Sequence, residues 1–144
     1  MGHIEIDGES LTLEQAMSLA NGESTASLSD DSRAKMSESR QAVEEIIRSG
    51  ETVYGINTGF GALSSVRIED DELESLQENL VRSHACGVGE RMEPEHVILM
   101  MVFRANSLAK GVSGSRPEVV DLILSMVNSR IPPVIPRIGS LGAS

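Results

Sequence analysis

The 144-residue sequence is nearly devoid of large rings, with one tyrosine, two phenylalanines and no tryptophan. Aromatic side chains supply much of the buried area in an ordinary core, so here the core has to come from Leu, Ile, Val, Met and Ala. Cys86 is the only cysteine, which excludes an intramolecular disulfide and a zinc site of the multi-cysteine kind. Positive charge is also scarce. Twelve basic side chains against 22 acidic ones leave a formal charge of −10, which argues against nucleic acid, because phosphate binding needs a basic stripe. No apolar run approaches the roughly 18 residues that a membrane span requires. The start, Met1-Gly2-His3-Ile4-Glu5-Ile6-Asp7, has neither the basic nor the apolar region of a secretory signal. These absences leave a soluble, cytoplasmic chain with neither a nucleic-acid nor a membrane partner. Its length fits one domain or part of a larger one.

What is present is mainly helical signal. Ile4 and Ile6 before Asp7-Gly8 predict a short strand, and Thr12-Leu13-Glu14-Gln15 has the form of a capping box. That helix should run to Asn21-Gly22, where glycine supplies the left-handed C-terminal position. Ser29, Asp30 and Asp31 open a second, largely polar helix that carries Ala42, Val43, Ile46 and Ile47 and stops at Gly50. The serines over residues 24–39 are read as a polar loop and an exposed helix face rather than a linker. A third helix begins near Glu69-Asp70, whose carboxylates suit a helix N-terminus. It places Leu73, Leu76, Leu80, Val81 and His84 on one face, so His84 is expected to point inward. Pro94 marks the first turn of a fourth helix. Its run over residues 97–103 is apolar on all sides and predicts burial in a bundle or interface. Gly111 ends it, and Pro117 opens a last helix through Val127. Pro132, Pro133 and Pro136 then exclude both regular helix and central strand. Five helices, two of them half polar, can hardly surround an all-apolar helix, so more protein is expected around this chain.

Two segments are candidates for chemistry. Helical periodicity fails over residues 52–66, and Tyr54-Gly55-Ile56-Asn57-Thr58-Gly59-Phe60-Gly61 holds three glycines and two of the three aromatics. Such a backbone permits close approach to a small ligand. A tight turn in which Tyr54 merely packs is equally open from the residues alone. The pattern matches neither nucleotide-binding glycine motif. The second segment, Gly139-Ser140-Leu141-Gly142-Ala143-Ser144, would by composition be a tail of small residues. His84 and Cys86 lie two apart on a helix and project about 200° apart, which disfavours a nucleophile-base pair. Cys86 is read as a small buried residue, and His84 by itself as a core histidine. His3 and His96 have no partner at metal-ligand spacing, so no metal site is expected.

Four segments in order carry a resemblance to a known family. They are the 54–61 loop; Leu76-Gln77-Glu78-Asn79-Leu80-Val81-Arg82-Ser83-His84-Ala85-Cys86-Gly87; Arg104-Ala105-Asn106-Ser107-Leu108-Ala109-Lys110-Gly111 with Ser113-Gly114; and Ile131-Pro132-Pro133-Val134-Ile135-Pro136 leading into residues 139–144. On these the chain resembles the aromatic amino acid ammonia-lyases, and their histidine-specific branch most closely. The resemblance implies a mainly α fold with little strand: residues 1–144 as an N-terminal helical domain, with 51–66 as a glycine-rich lid loop inside it.

The same resemblance implies the chemistry. The β-hydrogen of an amino acid is barely acidic and its amine leaves poorly, so the family makes an electrophile, methylidene-imidazolone (MIO), from an Ala-Ser-Gly tripeptide. Serine supplies the hydroxyl lost to form the exocyclic methylene, and glycine offers an unhindered amide nitrogen. Ala143 and Ser144 match the first two members. The third, a following glycine, is absent from this chain, and no external cofactor is implied. Tyr54 matches the family's catalytic base, a group whose pKa of about 10 must be lowered to work at neutral pH. His84 corresponds to the position that faces the substrate side chain, and Gly61 to a backbone approach to the bound amino acid. Ser83-His84-Ala85 looks more like the histidine enzymes than the tyrosine ones, which implies L-histidine as substrate and urocanate plus ammonia as products. A homotetramer whose later residues and neighbouring subunits complete the site is implied as well. A tyrosine or phenylalanine lyase or aminomutase of the family, or a non-catalytic helical assembly fragment, are the alternatives.

Overall fold

A computed structural model of the chain describes residues 2–58, 68 and 73–139. It divides into two compact units: Met1–Gln41 with Arg91–Ile135, and Ala42–Glu90 with Pro136–Ser144.

The first unit starts as a β–α–β motif. Strand β1 (Gly2–Ile6) is followed by helix α1 (Leu13–Asn21) and strand β2 (Ser24–Leu28). The strands pair in parallel, with Gly2 opposite Ser24 and Ile6 opposite Leu28. Parallel neighbours need a crossover between them, and α1 provides it. Both predicted caps of α1 form. Gln15 N donates to Thr12 Oγ1 at 3.2 Å and Thr12 N to Gln15 Oε1 at 2.9 Å, while Gly22 turns the chain left-handed at φ 78°.

Strand β2 corrects the expectation of a polar loop at the start of the serine-rich stretch. Ser-Thr-Ala-Ser-Leu has no run of large β-formers, and its strand character comes from pairing with β1 and burying Ala26 and Leu28. Helix α2 (Asp30–Ser49) then begins with the two predicted aspartates, and its residues to Gln41 belong to this unit.

Helices α4 (Pro94–Ala109) and α5 (Pro117–Asn128) complete the unit, each with proline in its first turn. α4 packs on α1 and α5, and α5 on β2. The shared core joins Ile6, Leu19, Leu28, Met36, Ile98, Val102, Leu108, Val120, Leu124 and Val127 with five alanines, Ala16, Ala20, Ala26, Ala105 and Ala109. It contains no aromatic ring. Each fully buried branched side chain contributes about 1.5–3 kcal/mol, and the alanines let the helices approach closely.

Residues 97–103, expected to lie in a bundle or an interface with more protein around them, are covered only in part by the described residues. Val97, Ile98 and Val102 are buried, but Met100 and Phe103 are 46% and 44% exposed, because the described residues cover α4 along one stripe only. Its open side lines an apolar groove of about 530 Å³ with Met101, Arg104, Ser107 and Ile135.

Polar clamps between residues far apart in sequence tie the unit together. Asn106 Oδ1 accepts from Gly8 N at 3.2 Å. Asn128 brackets Ala26, its Oδ1 accepting from Ala26 N at 2.8 Å and its Nδ2 donating to Ala26 O at 2.9 Å. Arg130, the one described non-glycine residue with positive φ, at 58°, donates to the carbonyls of Leu19 and Ala20 at the end of α1. The Arg33 guanidinium forks onto both oxygens of Asp121 at 2.9 and 2.7 Å.

In the second unit, the end of α2 leads through Gly50 into the turn described below. Helix α3 (Leu73–His84) follows, then strand β3 (Val88–Arg91), which pairs with β4 (Pro136–Ile138) in a two-stranded sheet. Pro136 sits at the first position of β4, where its missing N–H is tolerated.

Candidate active-site segment

The Tyr54 segment is a turn organised around one side chain. Ile56 N and Asn57 N both donate to Val53 O, at 3.1 and 3.3 Å. The Asn57 amide reaches back across the turn: its Oδ1 accepts from Val53 N at 2.9 Å, and its Nδ2 donates to Glu51 O at 2.8 Å. The Asn57 carbonyl accepts from Ile68 N at 2.9 Å. Gly55 takes φ 80°, a conformation natural for glycine, and its N–H donates to Thr58 Oγ1 at 3.4 Å.

Asn57 and Thr58 are 0% and 2% exposed, whereas Tyr54 is 63% exposed. The turn therefore buries its polar hub and displays its ring. Both ends of the buried amide are satisfied, and no buried side-chain N or O among the described residues lacks a partner.

His84 is exposed at the last position of α3. This corrects the inward-pointing expectation. The stripe that carries Leu76 and Leu80 is only half-buried among the described residues, and Val81 is 70% exposed. The ring folds back on its own helix, with Nδ1 2.8 Å from Leu80 O and 3.0 Å from Ser83 Oγ. A carbonyl can only accept, so Nδ1 is the donor and the neutral ring carries its lone pair on Nε2. Cys86 is exposed as well, not buried as expected.

Tyr54 and His84 belong to the same compact unit. Gly61, Ala143 and Ser144 lie outside the described residues, as does most of the glycine-rich stretch beyond Thr58. Among the described residues no group of three or more His, Cys, Asp or Glu is placed to hold a metal ion. Asn57 is the residue of this segment that sequence reasoning missed. Its only signal was an asparagine within four residues of backbone donors and acceptors in a glycine turn, where Asn side chains commonly bond local backbone.

The described residues thus show an exposed tyrosine on a braced glycine turn and, later in the chain, a helix that ends in an exposed histidine. Residues 11–144 match the family model described as aromatic amino acid lyase, and the chain belongs to that family. It is 47% identical over 98% of its length to histidine ammonia-lyase of Staphylococcus saprophyticus, and 48% identical over 98% to that of Geobacillus thermodenitrificans. It spans about 28% of the length of each of these relatives. Among solved structures, tyrosine aminomutase from Streptomyces globisporus superimposes with a TM-score of 0.88 at 35% identity, over 95% of this chain and 26% of that one. Histidine ammonia-lyase from Trypanosoma cruzi superimposes with a TM-score of 0.85 at 38% identity, over 96% of this chain and 26% of that one.

Proposed function

We propose that the full-length protein eliminates ammonia from L-histidine to give urocanate, in histidine catabolism, and that this chain is the N-terminal part of that enzyme. The observation that carries the proposal is the 47–48% identity to histidine ammonia-lyases over nearly the whole chain. The braced presentation of Tyr54 supports it. In this reading Tyr54 is the base: its oxygen takes the β-proton, the C–H electron pair becomes the new double bond, and the C–N bond breaks as ammonia leaves.

His84 faces the substrate imidazole. With Nδ1 committed to Leu80 O, Nε2 is the acceptor for an imidazole N–H. Gly61 brings backbone close to the amino acid, and the glycine-rich segment 51–66 covers it and excludes water. MIO, when formed, supplies the electrophile that makes the amine a competent leaving group. Ala143 and Ser144 fit the chemistry of its first two members, a small residue and the hydroxyl that is lost. The same reading makes the protein a cytoplasmic homotetramer in which later residues and neighbouring subunits complete the site.

The test is the appearance of urocanate absorbance when the full-length protein meets L-histidine, with L-tyrosine and L-phenylalanine as controls. No product from histidine defeats the substrate assignment. The likeness to tyrosine aminomutase makes a β-amino acid from tyrosine the specific rival outcome. Intact mass adds a second discriminator. A full-length species short by two waters supports MIO, and a 15.4 kDa species with unmodified Ser144 supports an inert assembly fragment.

A further inference from the structure

We propose that Asn57 is a positioning residue of this site, whose buried amide holds the turn that presents Tyr54 and so sets where the phenol oxygen stands. The inference rests on the assignment of Tyr54 as the base.

Tyr54 is 63% exposed, and the backbone on both sides of it is fixed by hydrogen bonds within the turn. On the N-terminal side, both backbone groups of Val53 are committed to the turn. Its N–H goes to Asn57 Oδ1 at 2.9 Å, and its carbonyl accepts from the N–H groups of Ile56 and Asn57 at 3.1 and 3.3 Å. On the C-terminal side stands Gly55 at φ 80°, its N–H 3.4 Å from Thr58 Oγ1. The Tyr54 Cα is thus hung between two fixed points, and residue 57 supplies two of the three bonds at the first.

The same residue ties the turn to its surroundings. Nδ2 donates to Glu51 O at 2.8 Å and the Asn57 carbonyl accepts from Ile68 N at 2.9 Å. One residue therefore links positions 51, 53 and 68.

The demand is specific to asparagine. The side chain must accept from one peptide and donate to another from a fully buried position, 0% exposed, with a short stem. Aspartate keeps the shape and the acceptor but has no donor for Glu51 O. Alanine and leucine have neither. Because the Asn57 side chain is fully buried, water does not readily replace a lost bond, and the turn must shift to satisfy the stranded groups. A displacement of about 1 Å in a reacting group costs on the order of 10²-fold in rate.

The experiment uses the full-length enzyme carrying Asn57→Asp, with Asn57→Ala beside it, assayed with L-histidine and with histidine deuterated at Cβ. Misplacing the base slows proton removal itself. We expect kcat to fall about 10- to 100-fold with KM within about 3-fold, and the deuterium isotope effect on kcat to rise. A merely structural role lowers the active fraction and leaves the isotope effect where it was. That unchanged isotope effect, or a kcat within about 3-fold of the parent, overturns the proposal. If Asn57→Ala fails to fold, the near-isosteric Asn57→Asp decides. A parallel Tyr54→Phe separates the two levels: near-normal turnover there removes the base assignment, whereas loss of turnover there with an unchanged isotope effect in Asn57→Asp removes only the role of Asn57.

Discussion

Replacing Asn128 tests how an edge of the small parallel sheet is closed. In a parallel strand the N–H and C=O of one residue point to the same side, and those of Ala26 point away from β1 toward the end of α5. There the Asn128 carboxamide meets both, at 2.8 and 2.9 Å, in the place a third strand would occupy. Asn128→Ala removes both bonds at once. Ala26 is only 3% exposed, but Asn128 itself is exposed, so water can enter where the amide was. The ordinary net value of about 0.5–1.5 kcal/mol per bond then applies, rather than the larger penalty for a buried orphan. Two bonds give about 1–3 kcal/mol. Urea unfolding followed by far-UV circular dichroism should show a lowered midpoint at unchanged m-value, and hydrogen exchange at the Ala26 amide should accelerate by a comparable free energy. Asn128→Asp should recover little, because its carboxylate faces the Ala26 carbonyl. A change in stability below about 0.3 kcal/mol with Ala26 still protected would refute the bracket as a stabilising device.

Three further outcomes are expected. Gly111→Ala should destabilise by more than Gly55→Ala in the same urea assay. Both glycines have positive φ, which alone costs about 1–2 kcal/mol for an L side chain, but a Cβ on Gly111 would lie 2.6 Å from Lys35 Cβ and 2.9 Å from its backbone carbon, while one on Gly55 meets nothing within 4 Å. Asp7 is held down to about 2 by the Ser10 hydroxyl and the backbone N–H groups of Ser10 and Glu9. A lowered carboxyl pKa stabilises the fold above its unfolded value near 3.8, a contribution lost as pH falls toward 2, so Asp7→Ala should flatten the acid limb of stability between those values. In the complete enzyme, Tyr54→Phe should leave the fold intact and cut kcat by about 10²–10⁴, the usual worth of a positioned general base; near-normal turnover removes Tyr54 from the chemistry.

Local rules made much of the fold legible before the structure. The Thr12–Gln15 box, the left-handed Gly22, and the prolines that open α4 and α5 all act within one helical turn, and each stands where the residues put it. Features that depend on partners were not legible. Strand β2 exists because β1 lies beside it, and nothing in Ser-Thr-Ala-Ser-Leu announces that. The apolar stripe of α3 predicted an inward His84, and the all-apolar run of α4 predicted burial in a bundle or an interface. Periodicity reports which face would be buried, not whether the described residues supply the cover. In the candidate site, the clustering of glycines and rings marked Tyr54. Asn57 carries no such mark, because an asparagine in a loop looks the same whether its amide reaches solvent or bridges two peptides.

The clamps that end α5 also have a consequence for synthesis. Asn128 and Arg130 reach partners 102 and 110 residues earlier in the chain, and α1, nine residues long, is too short to hold itself together in water. The β–α–β motif therefore leaves the ribosome with the Ala26 edge of β2 bare and the Ala20 carbonyl without its Arg130 donor. It stays so until α5 has been made and docked, a closure that carries the loop entropy of a long-range contact. A nascent chain halted before residue 128 accordingly exposes that edge to edge-to-edge association, and chaperone dependence should rise in that window of translation.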